Sequence, residues 1–248
     1  MTNKPNYSQK IVKPIFWNNI CLTSILQKFS KNTANYYLKA FQHFARWMVD
    51  DQRAGTSPVA HLKAVEVKKR DVCRRRRALG PNEVRRLLEA AIASETGFRL
   101  TGYQRSMIYR LAVESGLRAN EIRRLTVADF DFNNCTVTVQ DHTAKNRREK
   151  TLSLKPDTAA EIKAMLMNKL PAAQAFNVPG KPIDMLRSDL EAAGIAYVDD
   201  AGRYCDFHSL RHTTGTLMAA AGVHPKIVQE HMRHSDVNLT MNLYTHTK

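Results

Sequence analysis

The residues that decide the fold lie near the C-terminus, where positions 208–246 read HSLRHTTGTLMAAAGVHPKIVQEHMRHSDVNLTMNLYTH. Apolar residues recur at helical spacing in this stretch, and Gly222 separates the first helical run from the next. The pattern predicts helices over Ser209 to Ala221, over Pro225 to Met232 and from Asp236 onward. Six of the nine histidines of the chain also lie here. The stretch therefore combines helix-forming residues with chemically versatile ones.

Two pairs of polar residues are spaced to share a helix face. His208 and Arg211 are three residues apart, and so are Arg118 and Glu121 within Gly-Leu-Arg-Ala-Asn-Glu-Ile at positions 116–122. A guanidinium presents paired donors that match phosphate geometry, so two converging arginines suit one doubly oxygenated anion. If Tyr244 and a basic side chain join them, phosphoryl transfer without a metal becomes possible.

The same residues also have simpler interpretations. His208 and His212 have the i, i+4 spacing of a metal pair, but no glutamate follows His208 and no acidic third ligand stands nearby, so a zinc site is not expected. Tyr244 taken alone is typical of a half-buried packing residue. The run from Leu217 to Met232 resembles a helix-turn-helix, which makes a DNA-binding protein without catalysis the serious alternative.

The chain is basic, and its charge is concentrated toward the N-terminus. It has 248 residues, with 38 Lys and Arg against 23 Asp and Glu, a net charge of +15. Residues 1–77 hold 16 basic residues and only 4 acidic ones. The stretch from Lys68 to Arg77 has seven basic residues in ten, and we expect a linker there because such a block repels itself. This asymmetry indicates a polyanionic partner, either nucleic acid or an anionic membrane face.

Composition narrows the class of protein further. Hydrophobic residues make up 43% of the chain, which favours a globular protein over a disordered one. The uncharged stretch from Pro14 to Gln27 is too short and too polar to span a bilayer. The four cysteines are widely separated, so neither a disulfide framework nor a thiolate metal site is expected. We therefore expect a cytoplasmic protein with no membrane segment.

The remaining pattern predicts helices around one small sheet. From Val127 the apolar period changes to two, with Asn133-Asn134 as a turn, and this predicts three antiparallel strands near Phe130, Val137 and Leu152. The predicted fold class is mainly α, of the α+β kind. The other helical patterns are Leu22–Phe29, Tyr37–Met48, a helix from Pro81, Met107–Ala112 stopped by Gly116, Thr158–Met167 and Ile183–Ala193.

Five motifs, taken as a set in this order, resemble the tyrosine recombinase (phage integrase) family. They are Gly-Leu-Arg-x-x-Glu-Ile at 116–122, a lysine at 145, His-x-Leu-Arg-His at 208–212, Arg-His-Ser-Asp at 233–236 and Tyr-Thr-His at 244–246. No motif is specific alone, whereas the ordered set is highly specific. The resemblance runs from about Thr33 to the end of the chain. It implies a site-specific DNA recombinase or integrase that cleaves and rejoins DNA.

The resemblance implies a role for each residue that reacts with or grips DNA. Arg118 and Arg211 match the two arginines that hold the scissile phosphate and neutralise the charge that builds on its oxygens. Tyr244 matches the nucleophile, which forms a 3′-phosphotyrosine and conserves the bond energy. Neither ATP, nor a metal, nor an organic cofactor is then needed.

The other catalytic positions follow from the same resemblance. Lys145 matches a lysine in a β-hairpin that protonates the departing 5′ oxygen, and Lys150 is the competing candidate. His208 matches a histidine with acid and base work near the nucleophile. His234 matches a position that donates to the phosphate and packs the site. Glu121 matches an acidic partner that supports the site without reacting.

The resemblance also implies an order of domains and a set of partners. Residues 1–67 match a helical DNA-binding domain that is apparently abbreviated, residues 68–78 a basic linker, and residues 79–248 a catalytic domain. The expected partner is double-stranded DNA, bound by a homotetramer that assembles on paired sites from a free monomer, since only four residues follow Tyr244. A type IB topoisomerase-like activity and a non-catalytic DNA-binding protein remain the alternatives. The residues expected to contact DNA are Lys68, Lys69, Arg70, Arg74, Arg75, Arg76 and Arg77.

Overall fold

The computed structural model of the chain describes residues 29–68, 75–140 and 149–244. The chain divides into two units, Met1–Cys73 and Arg74–Lys248, and the division falls inside the predicted linker. Within the described ranges, no helix is both long and apolar enough to cross a membrane. The described helices are α1 Lys31–Asp50, α2 Pro81–Ala93, α3 Gly102–Ser115, α4 Ala119–Arg124, α5 Pro156–Leu166, α6 Pro182–Ala192, α7 Phe207–Ala220, α8 Pro225–Met232 and α9 Val237–Tyr244, and the strands are β1 Phe130–Asp131, β2 Thr136–Gln140 and β3 Glu149–Ser153.

The described part of the first unit is α1 with an extended segment along it. Ser30 begins α1, because its side-chain oxygen accepts the backbone N–H of Thr33. The Asn35 amide exchanges two hydrogen bonds of 2.8 Å with the backbone of Val65, so side chains of the helix hold the extended segment. The predicted helix over Leu22 to Phe29 lies, except for its last residue, outside the described residues.

Helix α3 lies at the centre of the second unit. Its Ile108, Tyr109, Leu111 and Ala112 are fully buried, as expected for a helix with neighbours on several sides. It packs against α2 and α7 and also contacts α4 and α5. Gly116 ends α3 with a φ of 65°, a left-handed conformation that favours glycine. The predicted stop of this helix is confirmed.

The predicted sheet is confirmed as three antiparallel strands in the order β1-β2-β3. The Asp131 side chain accepts hydrogen bonds from the backbone of Asn133 and Asn134, which closes the predicted turn. Val137 lies opposite Leu152 on the buried face, and the next pair along the strands, Thr138 and Thr151, is on the exposed face. The sheet therefore has one face in the core and one open face.

The three C-terminal helices form a separate, smaller core. Ala219, Val228, Met232 and Leu243 are its buried members. Helices α7, α8 and α9 contact one another, and the predicted helices over Ser209–Ala221, Pro225–Met232 and from Asp236 are confirmed to within two residues. The second unit therefore has a main core around α3 and a minor one under α9.

A buried ion pair joins α3 to α6. Arg105 donates to Asp189 through Nε at 2.9 Å and Nη2 at 3.2 Å, and the hydroxyl of Tyr109 donates to the same carboxylate at 2.6 Å. The Arg105 and Asp189 side chains are only 3% and 1% exposed. Removing one partner of such a pair leaves a buried charge uncompensated.

We therefore expect Asp189→Asn to lower the free energy of unfolding by about 3 kcal/mol. The control is Asp157→Asn, which removes a carboxylate that is 66% exposed and pairs with Arg110; its effect on the free energy of unfolding should be much smaller, because water screens an exposed pair. Urea denaturation of both variants measures the two values. Equal losses would contradict a special role for the buried pair.

Candidate functional site

The first predicted arginine is placed by the turn between α3 and α4. Arg118 directly precedes α4, and the carboxylate of Glu121 reaches back to it. One carboxylate oxygen accepts the backbone N–H of Arg118 at 2.8 Å, and the other accepts Nη1 at 2.9 Å. The Arg118 side chain is still 46% exposed. It is therefore oriented by Glu121 and open to a ligand.

The second predicted arginine, Arg211 on α7, is only 2% exposed. Its Nη1 donates to the carbonyl of Gly116, while its buried Nη2 has no hydrogen-bond partner among the described residues. Burial, together with the nearby charges of Arg118 and Arg233, lowers the pKa of Arg211 to about 9. A buried cation with an unused donor is an unfavourable arrangement by itself. An anion bound beside Nη2 would supply both the missing hydrogen bond and the missing charge.

A third arginine completes this cluster. Arg233 follows α8, and its Nη2 donates to Oε2 of Glu121 at 2.8 Å. Burial alone would raise the pKa of Glu121, but the Arg118 backbone N–H and the Arg233 charge outweigh it and lower that pKa. Glu121 is therefore an ionised carboxylate between two arginines.

Two predicted histidines lie in the same electropositive region. Burial, then the neighbouring His212 and other cations, lowers the pKa of His208 to about 4. Burial and the charges of Arg211 and Arg118 lower the pKa of His234 to about 4 as well. His234 is held by a 2.9 Å hydrogen bond between Nδ1 and Thr240 Oγ1. Both histidines are therefore neutral at pH 7 in the free protein.

The predicted nucleophile is placed next to the minor core. Tyr244 ends α9 and packs against the buried residues of that core. Its hydroxyl donates to the carbonyl of Val223, in the turn between α7 and α8. Burial raises the pKa of this phenol, so it carries its proton at neutral pH. The structure thus brings Arg118, Glu121, His208, Arg211 and His234 together and directs the Tyr244 hydroxyl to a backbone carbonyl.

The predicted lysine falls on the connection between β2 and β3. Lys145 lies outside the described residues. Lys150, the competing candidate, is on β3 opposite Val139, and its charge contributes to a lowered pKa of His231, after burial and nearby arginines. The choice between the two lysines stays a prediction.

The described members of the basic segment differ in their surroundings, and their predicted contact with DNA stays a prediction. Arg76 donates from Nε to both oxygens of Asp206, at 2.9 and 2.8 Å. Arg77 is 9% exposed and pairs with Glu83 at 3.0 Å. These two arginines therefore serve contacts inside the second unit. Lys68 and Arg75 are exposed, whereas Lys69, Arg70 and Arg74 lie outside the described residues.

An open cavity of about 810 Å³ adjoins the arginine cluster. Its wall includes Arg118, Arg124 and His208, together with Thr138 from β2. Cationic and hydroxyl groups of this kind are typical contacts to a phosphate backbone. Arg118 therefore lies on a concave surface that also carries other cationic and hydroxyl groups.

The chain is similar in sequence and in fold to known proteins. The chain is 26% identical over 214 residues to the tyrosine recombinase XerA of Saccharolobus solfataricus, covering 86% of this chain and 63% of that protein. The fold matches a structure of the Tn1549 transposon integrase in complex with a circular intermediate DNA (TM-score 0.68, 16% identity, 91% and 78% of the two chains). It also matches a lambda integrase dimer bound to a COC′ core site (TM-score 0.66, 16% identity, 90% and 62%).

The model of the phage integrase family matches residues 77–248. The chain belongs to the phage integrase family, and the predicted family is confirmed. It spans about 61 to 63% of the length of the first curated relatives that it matches. The match begins at Arg77, which lies near the start of the second unit and pairs with Glu83.

Sequence reasoning missed Arg233 as a member of the site. The residue was visible only as the first letter of Arg-His-Ser-Asp, at the end of a helix where basic residues are common. Its partner Glu121 lies 112 positions earlier, and no local periodicity relates the two. The carbonyl of Gly116, which accepts a hydrogen bond from Arg211, was equally invisible because a backbone group has no sequence signature.

Proposed function

We propose that this chain is a site-specific DNA recombinase that cleaves and rejoins DNA through a 3′-phosphotyrosine intermediate. The observation that carries this proposal is the buried Arg211, whose Nη2 has no partner among the described residues and whose neighbour is the accessible Arg118. A phosphodiester offers two non-bridging oxygens for these two guanidiniums. The family, and its curated relatives named as tyrosine recombinases, support the reaction.

The proposed step is a transesterification in which atoms and charge balance. The phenolic oxygen of Tyr244 forms a bond to phosphorus, and the bond between phosphorus and the 5′ oxygen breaks. Lys145 gives its proton to the departing 5′ oxygen, and the phenolic proton passes to His208. Rejoining reverses each step, with a 5′ hydroxyl as the nucleophile. Because one ester replaces another, no ATP or metal is needed.

The electrostatics of the site fit this sequence of events. In the free protein His208 is neutral, and so can accept a proton. A bound phosphate adds negative charge beside the cluster, and this charge favours the protonated form of His208. The bound phosphate would therefore help His208 to accept the phenolic proton.

The proposed partner is double-stranded DNA, on which the chain assembles as a homotetramer at paired sites from a free monomer. Support comes from the similarity to a lambda integrase dimer bound to a core site. Residues 1–67 are proposed as a helical DNA-binding domain, 68–78 as a basic linker and 79–248 as the catalytic domain. A tetramer on two sites holds four tyrosines, enough to exchange both strands of two duplexes.

The test is covalent trapping of the wild-type chain on a duplex nicked just beyond the scissile phosphate. Fragments selected for binding from genomic DNA supply the site. We expect a denaturant-resistant adduct, formed in the presence of chelator, with the 3′ phosphate on the peptide that carries Tyr244. Exchange between two labelled duplexes then supports a recombinase. Relaxation of supercoiled DNA without exchange would show a topoisomerase instead, and binding without any adduct would show a non-catalytic protein.

The salt dependence of DNA binding tests the basic segment. Replacing Lys68, Lys69, Arg70 and Arg75 with alanine should flatten the slope of log affinity against log salt by up to about four, roughly one for each lost phosphate contact. Arg77→Ala is the matched control, because Arg77 is nearly buried against Glu83. Arg77→Ala should lower the stability of the protein and leave the slope of log affinity against log salt unchanged. An unchanged slope in the fourfold variant would contradict a DNA-binding role.

A further inference from the structure

Arg233 has a backbone conformation that is unfavourable for its residue type. It follows α8 with φ 52° and ψ 44°, in the left-handed region. Glycine is preferred there, because a Cβ atom crowds the following carbonyl. Its N–H donates to the Glu230 carbonyl at 3.2 Å, and the next N–H, of His234, donates to the Gln229 carbonyl at 3.1 Å. The helix end alone would be served as well by glycine, so the arginine side chain requires another explanation.

The side chain of Arg233 turns inward although it is long and charged. Only 12% of it is exposed, and Nη2 lies 2.8 Å from Oε2 of Glu121. Its Nε is buried and has no hydrogen-bond partner within the described ranges. A solvated surface arginine would show neither property. The contact with Glu121 is therefore what holds the guanidinium in the site.

Glu121 connects Arg233 to Arg118, the arginine proposed to bind the phosphate. The oxygen that accepts from Arg233 also accepts the backbone N–H of Arg118, and the second oxygen accepts Nη1 of Arg118. Arg233, which precedes His234, is thus connected to Arg118 through the Glu121 carboxylate. This connection joins two motifs that are 112 positions apart.

We propose that Arg233 is a positioning residue for DNA cleavage, which acts through Glu121 to fix the guanidinium of Arg118 against the scissile phosphate. This inference rests on the proposed function, because it supposes that Arg118 grips a phosphate. Arg118 is half-exposed and has long-chain freedom, so a fixed Glu121 is what limits its orientation. Without Arg233, one oxygen of Glu121 keeps only the backbone N–H of Arg118, and the carboxylate can rotate.

Charge gives a second consequence of the same contact. The cations that face Glu121 are Arg118 at the start of α4, Arg211 on α7 and Arg233 after α8. Loss of Arg233 removes one of these charges and a hydrogen bond, so the pKa of Glu121 must rise. As pH falls, the variant should protonate Glu121 earlier than the wild type and lose the Arg118 contact earlier.

The test uses R233G, because glycine suits the left-handed backbone and removes only the side chain. R99G is the matched control: Arg99 is also left-handed, with φ 60°, and is exposed between α2 and α3. We expect both variants to melt at or above the wild-type temperature. In single-turnover trapping, R233G should form the Tyr244 adduct roughly 30-fold more slowly, with its DNA affinity within about threefold of the wild type. R99G should cleave at the wild-type rate.

Rescue and pH separate positioning from simple stability. The acidic limb of the R233G rate profile should move to higher pH, R233K should recover part of the rate, and added methylguanidinium should partly restore R233G. A cleavage rate of R233G within twofold of wild type would overturn the inference and leave Arg233 as a helix end only.

A second measurement keeps this inference distinct from the proposed function. The Glu121 carboxyl is followed by carbon NMR through a pH titration, with E121Q to assign the signal. An upward shift in R233G supports the positioning contact, and an unmoved titration overturns it. Both results are obtained even if the wild-type chain forms no adduct, which would instead refute the proposed function.

Discussion

We expect the Tyr244→Phe protein to form no covalent adduct with nicked duplex DNA and to bind this DNA with the affinity of the wild-type chain. Phenylalanine keeps the ring that packs on the minor core but lacks the oxygen that would bond to phosphorus. The loss of the hydroxyl's hydrogen bond to the Val223 carbonyl should cost about 1 kcal/mol of stability. Denaturing gels measure the adduct, and thermal melts measure the stability.

A matched control for this variant is Tyr103→Phe. Tyr103 also loses one hydrogen bond, a 3.1 Å contact to Glu161, but it lies on α3 away from the arginine cluster. It should melt slightly earlier and form the adduct at the wild-type rate. Adduct formation by the Tyr244→Phe protein at the wild-type rate would assign the nucleophile to another residue and undo the proposed site.

Arg211→Lys should slow adduct formation by about a thousandfold. The Arg211 guanidinium can make two contacts at once, because Nη1 donates to the Gly116 carbonyl and Nη2 has no partner among the described residues and can donate to a ligand. An ammonium is a point charge that cannot keep both contacts at once. Burial and the charges of Arg118 and Arg233 lower the pKa at this position, and they would also favour the neutral form of a lysine there.

Arg110→Lys serves as the control, because Arg110 uses its fork for carboxylates outside the cluster, Asp157 and Glu161 among them. Its adduct rate should be unchanged. Single-turnover rates at saturating DNA separate the loss of chemistry from the loss of binding. A rate for Arg211→Lys within tenfold of the wild type would show that the paired contact to phosphate is not required.

Local signals in the sequence were sufficient for most of the elements, whereas the ordered set of motifs was needed to predict the site residues, five of which the structure places in one region. Gly116 marked the end of α3, and Asn133-Asn134 marked the turn before β2, because each acts on its own backbone. Contacts between distant residues had no such signal. Arg105 with Asp189 spans 84 positions and Arg76 with Asp206 spans 130. The stretch predicted as a basic linker therefore includes arginines that form ion pairs with the second unit, and no local pattern indicated these pairs.

The hydrogen-bond partners of the site residues could not be predicted, because they depend on the direction in which each side chain points. Motif order predicts Tyr244 as the nucleophile, but it does not contain the hydrogen bond from the Tyr244 hydroxyl to the Val223 carbonyl. Glu121 was expected to support the site without reacting, and the structure shows that its carboxylate bridges two arginines. Helical spacing gives the face of a residue, whereas its partner on another element depends on packing that the pattern does not contain.

The two cores of the second unit differ greatly in size. The residues of the proposed site therefore lie on supports of different local stability. Arg118 and Arg211 are anchored to α3 and the large core, whereas Tyr244 rests on four buried residues. Segments with few buried contacts open at a small fraction of the free energy of global unfolding. Local opening of α9 would therefore move Tyr244 while Arg118 and Arg211 keep their positions. The rate of the proposed cleavage would then depend on how often α9 opens from the minor core.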